Sequence, residues 1–257
     1  MKIKKEKKEK FKNILILGYG NTGKSIAEFF KNKKFNIYFW DDNSEVFNKI
    51  SNNFFKYNKQ SLNIFQKIFV SPGISKSHKI VKNAYKYKIE ISSDIELFLS
   101  QLKAQNKNNL LAVTGTNGKS TIALMIARAL KVNPLANFGN PVLENFPTKN
   151  QKLVLELSSF QLEYLDYIKP KVSIISNIKE DHISYHGSFK NYINSKIKIC
   201  YHQKQNDYTI LNYDDLNIRK AFLRKDLSKA KAIWVSSQKK IKNGIFYLGD
   251  ILYDNYF

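Results

Sequence analysis

The stretch at 110–121, LLAVTGTNGKST, sets the strongest limit on what this chain can become. An apolar run ends at Gly115, a Gly-containing turn follows, and Lys119, Ser120 and Thr121 open a stretch of helix formers reaching about Leu130. A strand feeding through such a turn into a helix aims backbone N–H groups and the positive helix end at one spot, where an anion binds. Phosphate is the anion these loops hold, with Lys119 as a mobile positive charge and Ser120 as a metal ligand. The spacing departs from the generic Walker pattern, which places Gly five residues before Gly118, where this chain has Val113. A plain Gly-Asn turn capping a helix is the alternative reading of the same residues.

Around this loop short β-branched strands alternate with helical stretches, the pattern of parallel α/β layers. Strands are predicted at 13–17, 36–40 and 67–70, then from 110, and at 152–155, 172–175, 208–211 and 232–235. Helices are predicted over 22–31, over 95–102 with the Asp94 side chain as cap, and over 189–201. The end, 244–257, reads as a β-hairpin. The polar run 103–109 reads as a linker. The fold class is therefore α/β: a Rossmann-like domain at 13–104, behind a basic tail at 1–12, and a P-loop-type parallel α/β domain at 105–257.

The net charge of +22 invites a nucleic-acid reading, because a basic surface attracts polyanions whatever their sequence. The lysines are scattered, however, with one dense run at the N-terminus, and the chain is also crowded with Asn, Ile, Phe and Tyr with only 10 Gly and 5 Pro, a joint bias that AT-rich codons produce. No nucleic-acid partner is expected. A basic ATPase acting on nucleic acid would need aromatics along a basic groove, and the sequence shows none. No run reaches the roughly 20 apolar residues of a membrane span, so no membrane partner is expected. The first dozen residues lack the apolar core of a signal peptide, and Cys200 is the sole cysteine, so the expected compartment is the cytoplasm.

Two further groups carry chemistry. Gly18-x-Gly20-x-x-Gly23 follows a strand, and Asp41 ends the next one, near the separation expected of an acid facing a ribose. A ribose diphosphate fits there, and UDP fits as well as a dinucleotide. In the second domain Glu156 ends an apolar strand and Asp181-His182 follows another. Parallel strands end on one sheet edge, so Lys119, Ser120, Glu156 and His182 should converge, a set suited to a divalent ion bridging nucleotide oxygens.

GTNGKST at 115–121, ELSSFQLE at 156–163 and Asn177-x-x-x-Asp181-His182 resemble the central domain of the Mur ligases. GYGNTGKS at 18–25 and SPGI at 71–74, with the ELSSFQLE form, resemble its D-glutamate-adding branch. The resemblance implies ligation of D-glutamate to UDP-N-acetylmuramoyl-L-alanine in peptidoglycan precursor synthesis. ATP and Mg2+ would serve it, through an acyl phosphate. Asn21, Thr22, Asp41, Ser71, Pro72 and Gly73 would hold the uridine diphosphate. Gly115, Thr116, Asn117, Gly118, Lys119, Ser120 and Thr121 would hold ATP, with Lys119 on the β- and γ-phosphates. Ser120 and Glu156 would bind one magnesium, His182 would lie near a second, and a carbamylated Lys196 would supply an anionic oxygen ligand, with Lys119, His182 and Lys196 as the catalytic residues. Asn137, Ser158 and His182 would line the muramoyl-alanine end. Asn212 and Asp214-Asp215 match a family stretch with a structural or nucleotide-adjacent role.

Two departures are expected to matter. Ser184 and Tyr185 stand where the family usually has Asp and Arg. The family also continues beyond the position of Phe257 with a His-Asn segment and a third, D-glutamate-binding domain. The rival reading is thus a catalytically incomplete chain that binds only UDP-sugar or ATP, or one half of a split enzyme completed by a separately encoded C-terminal domain. On that reading an apolar sheet face near the terminal hairpin should be exposed.

Overall fold

The structure is a computed structural model that describes residues 12–47, 55, 59–137, 139, 141–223 and 227–256; the basic tail, Lys12 apart, lies outside them. The chain divides into two compact units, 1–92 and 93–257.

The first unit alternates strands and helices: β1 (Lys12–Leu17), α1 (Asn21–Phe30), β2 (Phe35–Trp40), α2 (Ser44–Phe47), β3 (Lys67–Val70), α3 (Lys79–Lys86) and β4 (Glu90–Ser92). Its four strands are parallel in the order β2-β1-β3-β4. β1 is apolar without alternation, Ile14 to Leu17 all being buried, as a central parallel strand covered on both faces requires. α1 turns Ile26 and Phe30 inward. It approaches β1 closely because Gly23 lacks a side chain: a Cβ there would sit 2.0 Å from the Gly18 carbonyl oxygen. Gly18 itself is left-handed, with φ +89°.

The second unit opens with α4 (Asp94–Gln101) and α5 (Ala104–Lys107). Then come β5 (Leu110–Thr114), α6 (Lys119–Ala129), β6 (Pro134–Ala136), β7 (Leu153–Glu156), α7 (Ser159–Glu163) and β8 (Val172–Ile175). After these follow α8 (Ile183–His186), α9 (Phe189–Ile197), β9 (Tyr208–Asn212), α10 (Leu216–Phe222), β10 (Lys231–Ser236), β11 (Gly244–Leu248) and β12 (Ile251–Asp254). The eight strands run β12-β11-β10-β9-β8-β5-β7-β6, parallel throughout apart from the antiparallel β11–β12 hairpin. From β5 the chain moves to β6 and β7 on one side, then crosses to β8 on the other, so the order reverses at β5. The small residues Ala123 and Ala127 let α6 sit close against Val113 and Val154. On the hairpin Tyr247, Ile251, Leu252 and Tyr253 are exposed.

Three local expectations are corrected. The run 103–109 is no linker: it carries α5, and the buried Asn106 amide donates to the carbonyls of Thr148 (2.8 Å) and Gln151 (3.3 Å). Its polarity belongs to a helix tied to a neighbouring loop, and the division falls at 92/93. Asp94 does not cap α4; Ser93 does, accepting from the Glu96 N–H at 3.2 Å, while Asp94 is buried and burial pushes its carboxyl up to about 6. The helix expected over 189–201 stops at Ile197 and tightens into a 3-10 turn, Lys198–Cys200. No described helix is long and apolar enough to cross a membrane.

The contact at Gly23 gives a prediction. Gly23→Ala should destabilise the chain by about 1–3 kcal/mol in urea denaturation, the range for overpacking against backbone that cannot give way. Gly73→Ala, where a Cβ meets nothing within 4 Å, should change stability by less than about 1 kcal/mol.

Candidate functional site

Thr114, the last residue of β5, pairs with Ile175, and Val113 pairs with Glu156. The 115–118 loop therefore leaves the sheet where the strand order reverses, the position at which open α/β sheets bind ligands. Gly118 caps α6 in a left-handed conformation (φ 75°), which glycine adopts without strain. Lys119 folds back so that Nζ donates to the Thr116 carbonyl at 2.9 Å, and Ser120 and Thr121 lie exposed in the first turn of α6.

The loop is held from the end of β8. The N–H groups of Thr116 and Asn117 donate to the Asn177 carbonyl and side-chain oxygen, each at 2.9 Å. The Asn177 amide donates back to the Asn117 carbonyl at 2.9 Å, and Ser176 Oγ does so at 3.0 Å. Gly115 leaves no room beside Ser176, since a Cβ would sit 2.0 Å from Ser176 Oγ. Thr116 Oγ1 accepts from the Lys179 N–H at 3.0 Å and shares a 2.9 Å bond with the Tyr192 hydroxyl.

Lys196 reaches this loop from α9. It is 1% exposed, its Nζ donates to the Gly115 carbonyl at 2.6 Å, and it lies 4.6 Å from the centre of the Tyr192 ring. Burial, helped by the charge of Lys119 and opposed by Asp181, brings its pKa down to about 7. On the far side of β5, Glu156 is 1% exposed; Oε1 accepts from the Asn137 amide at 2.9 Å, while Oε2 is buried with no hydrogen-bond partner among the described residues. The residue before Asn137, Ala136, is left-handed at φ 80°, a strained conformation for a residue with a side chain. His182 is also left-handed (φ 52°); its ring lies 4.7 Å from that of Phe160, and Nε2 is 3.3 Å from Asp181 Oδ2. Ser158 caps α7, accepting from the Gln161 N–H at 3.2 Å within a capping box. Tyr185 packs its ring 4.2 Å from that of Phe160.

A divalent ion has one ready ligand in this set. An unpartnered buried carboxylate oxygen such as Glu156 Oε2 suits a hard cation. Among the described residues no three His, Cys, Asp or Glu side chains gather to hold a metal. A metal here would draw on Glu156 with at most one further side chain of those four types, and on other oxygen ligands such as Ser120. Asn212, Asp214 and Asp215 brace the fold: Asn212 donates to the Ser176 carbonyl (2.9 Å), and Asp215 caps α10 and accepts from the Ile178 N–H (2.8 Å). Asp214 accepts from Ser236 and Ser237.

In the first unit the strand ends form a second cluster. Asp41 accepts from the N–H groups of Tyr19 (2.7 Å) and Asn43 (2.9 Å), fixing the glycine loop to the end of β2. Ser71 Oγ donates to the Gly18 carbonyl at 3.0 Å, with Pro72 and Gly73 in the turn that follows. Asn21 and Thr22 begin α1.

Tyr192 and His186 were absent from the sequence expectations. The Tyr192–Lys196 spacing of four on one helix was a usable signal. Nothing in the sequence marks His186, whose side chain is fully buried with Nε2 3.1 Å from Ser159 Oγ and Nδ1 3.5 Å from Glu163 Oε2.

The Mur ligase middle domain model matches residues 113–254, and the model of the Mur ligase MurD-like N-terminal domain matches 12–93. The UDP-N-acetylmuramoylalanine–D-glutamate ligase of Rickettsia bellii is 37% identical over 259 residues, covering 96% of this chain and 56% of that protein. The enzyme of the same name from Caldicellulosiruptor bescii is 33% identical over 262 residues, covering 95% and 56%. The chain thus spans little more than half the length of these curated relatives. In fold it is similar to the crystal structure of UDP-N-acetylmuramate:L-alanyl-gamma-D-glutamyl-meso-diaminopimelate ligase from Neisseria meningitides. The TM-score is 0.55 at 14% identity, with 96% of this chain and 85% of that one covered.

Lys196 gives a pH prediction. Its folded pKa of about 7 lies below the ordinary 10.5, so between these values the unfolded chain binds a proton that the folded chain does not. Stability should therefore rise with pH across that window, by a few kcal/mol at about 1.4 per unit, and carry the full penalty below it. In bicarbonate-free buffer, urea denaturation of Lys196→Met should show this rise removed and the variant more stable than the parent at pH 7.

Proposed function

The chain belongs to the Mur ligase family, and from that premise we propose that it serves the ATP-dependent joining of D-glutamate to UDP-N-acetylmuramoyl-L-alanine. The observation that carries this reading is the clasped loop at 115–121, with the buried Lys196 amine against its first carbonyl. The two relatives named for this reaction support the choice of substrates.

An amine cannot displace oxygen from a carboxylate at neutral pH, because the leaving group is too poor. Phosphorylation of the alanine carboxylate by ATP supplies a good one, and attack by the D-glutamate amine then releases phosphate. Phosphoryl transfer asks the protein mainly for positioning and charge neutralisation. Residues 115–121 would seat the ATP phosphates, and Lys119, released from the Thr116 carbonyl, would compensate the β- and γ-oxygens. Bound magnesium supplies further neutralisation of those oxygens. Ser120 and Glu156 would hold it, with Glu156 Oε2, unpartnered among the described residues, as its strongest ligand, and His182 would lie near a second ion.

Lys196 fits that set only if its charge is reversed. A pKa of about 7 leaves much of the amine neutral, the form that adds to carbon dioxide; a proton leaves and an anionic carbamate oxygen becomes available. Asn137, Ser158 and His182 would line the alanine end of the substrate. Asn21, Thr22, Asp41 and the Ser71-Pro72-Gly73 turn would hold the uridine diphosphate.

Calorimetry tests the loop: Lys119→Ala should weaken Mg-ATP binding at least tenfold, about 1.4 kcal/mol, and unchanged affinity would sink the assignment. Thermal shift tests the first unit, since a ligand that binds only the native state raises its stability. UDP-N-acetylmuramoyl-L-alanine should raise the melting temperature and NAD should not; the reverse result would reject the uridine reading.

A further inference from the structure

We infer that His186 is a positioning residue that keeps the phosphate loop in shape through the ring of Tyr192. The inference rests on the assignment of 115–121 as that loop, and on no particular substrate.

His186 ends α8 and is wedged between α7 and α9. Both ring nitrogens face α7: Nε2 lies 3.1 Å from Ser159 Oγ, and Nδ1 lies 3.5 Å from Glu163 Oε2. Burial lowers its pKa and so favours the neutral ring, against the pull of the Glu163 carboxylate. Nε2 shares a hydrogen bond with the Ser159 hydroxyl, while Nδ1 faces the Glu163 carboxylate without a hydrogen bond of its own among the described residues. One edge is thus anchored, and the rest of the ring forms a wall. Tyr192 packs against that wall edge-to-face, with centroids 5.4 Å apart, and Phe160 lies nearly parallel at 5.8 Å.

Tyr192 passes the constraint onward. It is 1% exposed, its hydroxyl meets Thr116 Oγ1 at 2.9 Å, and its ring carries Lys196 Nζ at 4.6 Å. Thr116 Oγ1 in turn receives the Lys179 N–H. A tilt of the Tyr192 ring would draw its hydroxyl off Thr116 and loosen the middle of the loop. An apolar side chain in place of His186 would fill the space, but without the Ser159 and Glu163 contacts it would leave the wall unanchored. The arrangement ties α7, which starts just after Glu156, to the loop beside Lys196. Packing chains of this kind hold functional groups through residues outside the first contact layer.

Amide hydrogen exchange of the full chain reads this directly. In His186→Leu, protection of the Thr116 and Lys179 amides should fall at least tenfold while the amides of β5 and β8 keep theirs. His186→Gln, whose amide reaches Ser159, should restore most of it, and Ser159→Ala should loosen the same two amides. Unchanged loop protection in His186→Leu, or a loss shared equally by β5 and β8, would overturn the inference. Should His186→Leu fail to fold, Ser159→Ala decides alone: unchanged exchange at Thr116 and Lys179 rejects it. Absence of Mg-ATP binding by the unaltered chain would sink the proposed function while leaving the exchange result to stand.

Discussion

The site depends on one constraint: a loop that leaves the middle of a parallel sheet has no partner strand to answer its backbone polar groups. Asn177 answers them. Its carbonyl and side-chain oxygen take two N–H groups of the loop, and its amide returns a bond to Asn117. Each such bond contributes about 1 kcal/mol net, while an unanswered buried group costs more. The Asn177 segment is itself held from the next strand, since Asn212 secures Ser176 and Asp215 secures Ile178. Support thus passes from β9 to β8 to the loop, and strand order decides which side chains can supply it.

The same edge carries features that oppose stability. Lys196 is a buried amine beside Lys119, Glu156 keeps one carboxylate oxygen unbonded among the described residues, and Ala136 and His182 occupy left-handed backbone. Each costs free energy, and the two that lie in the sheet, Ala136 and Glu156, are the last residues of their strands. Features of this sort persist where surrounding structure over-determines them and where they serve a reaction. The apolar strands β5, β7 and β8, with Ala123 and Ala127 packed on Val113 and Val154, are that surrounding structure.

What the sequence could disclose was what is local. A strand, a glycine turn and Lys119 occupy consecutive residues, so the loop and its helix were readable, as were β3, β8 and the terminal hairpin. Glu156 and Asn177 were visible as polar residues closing apolar runs. The clasp between Asn177 and Asn117 spans 60 residues, and the Tyr192–Thr116 bond spans 76; no periodicity encodes such pairs. The run 103–109 misled because polarity without apolar spacing looks the same in a linker and in a short helix tied through Asn106. Three-residue strands such as β4 and β6 fall below the length at which alternation can be recognised.

The fit of Gly115 against Ser176 has a consequence for how this chain can diverge. The two positions share a space that admits one side chain, and the present arrangement gives it to position 176. A change at 115 alone collides, whereas a change at 176 alone removes the Ser176 hydroxyl from Asn117. Exploring this corner therefore requires both positions to change together, through intermediates that are each impaired. Among relatives the pair should drift in concert or hold still, so that covariation between them reports the tightness of the loop independently of any ligand.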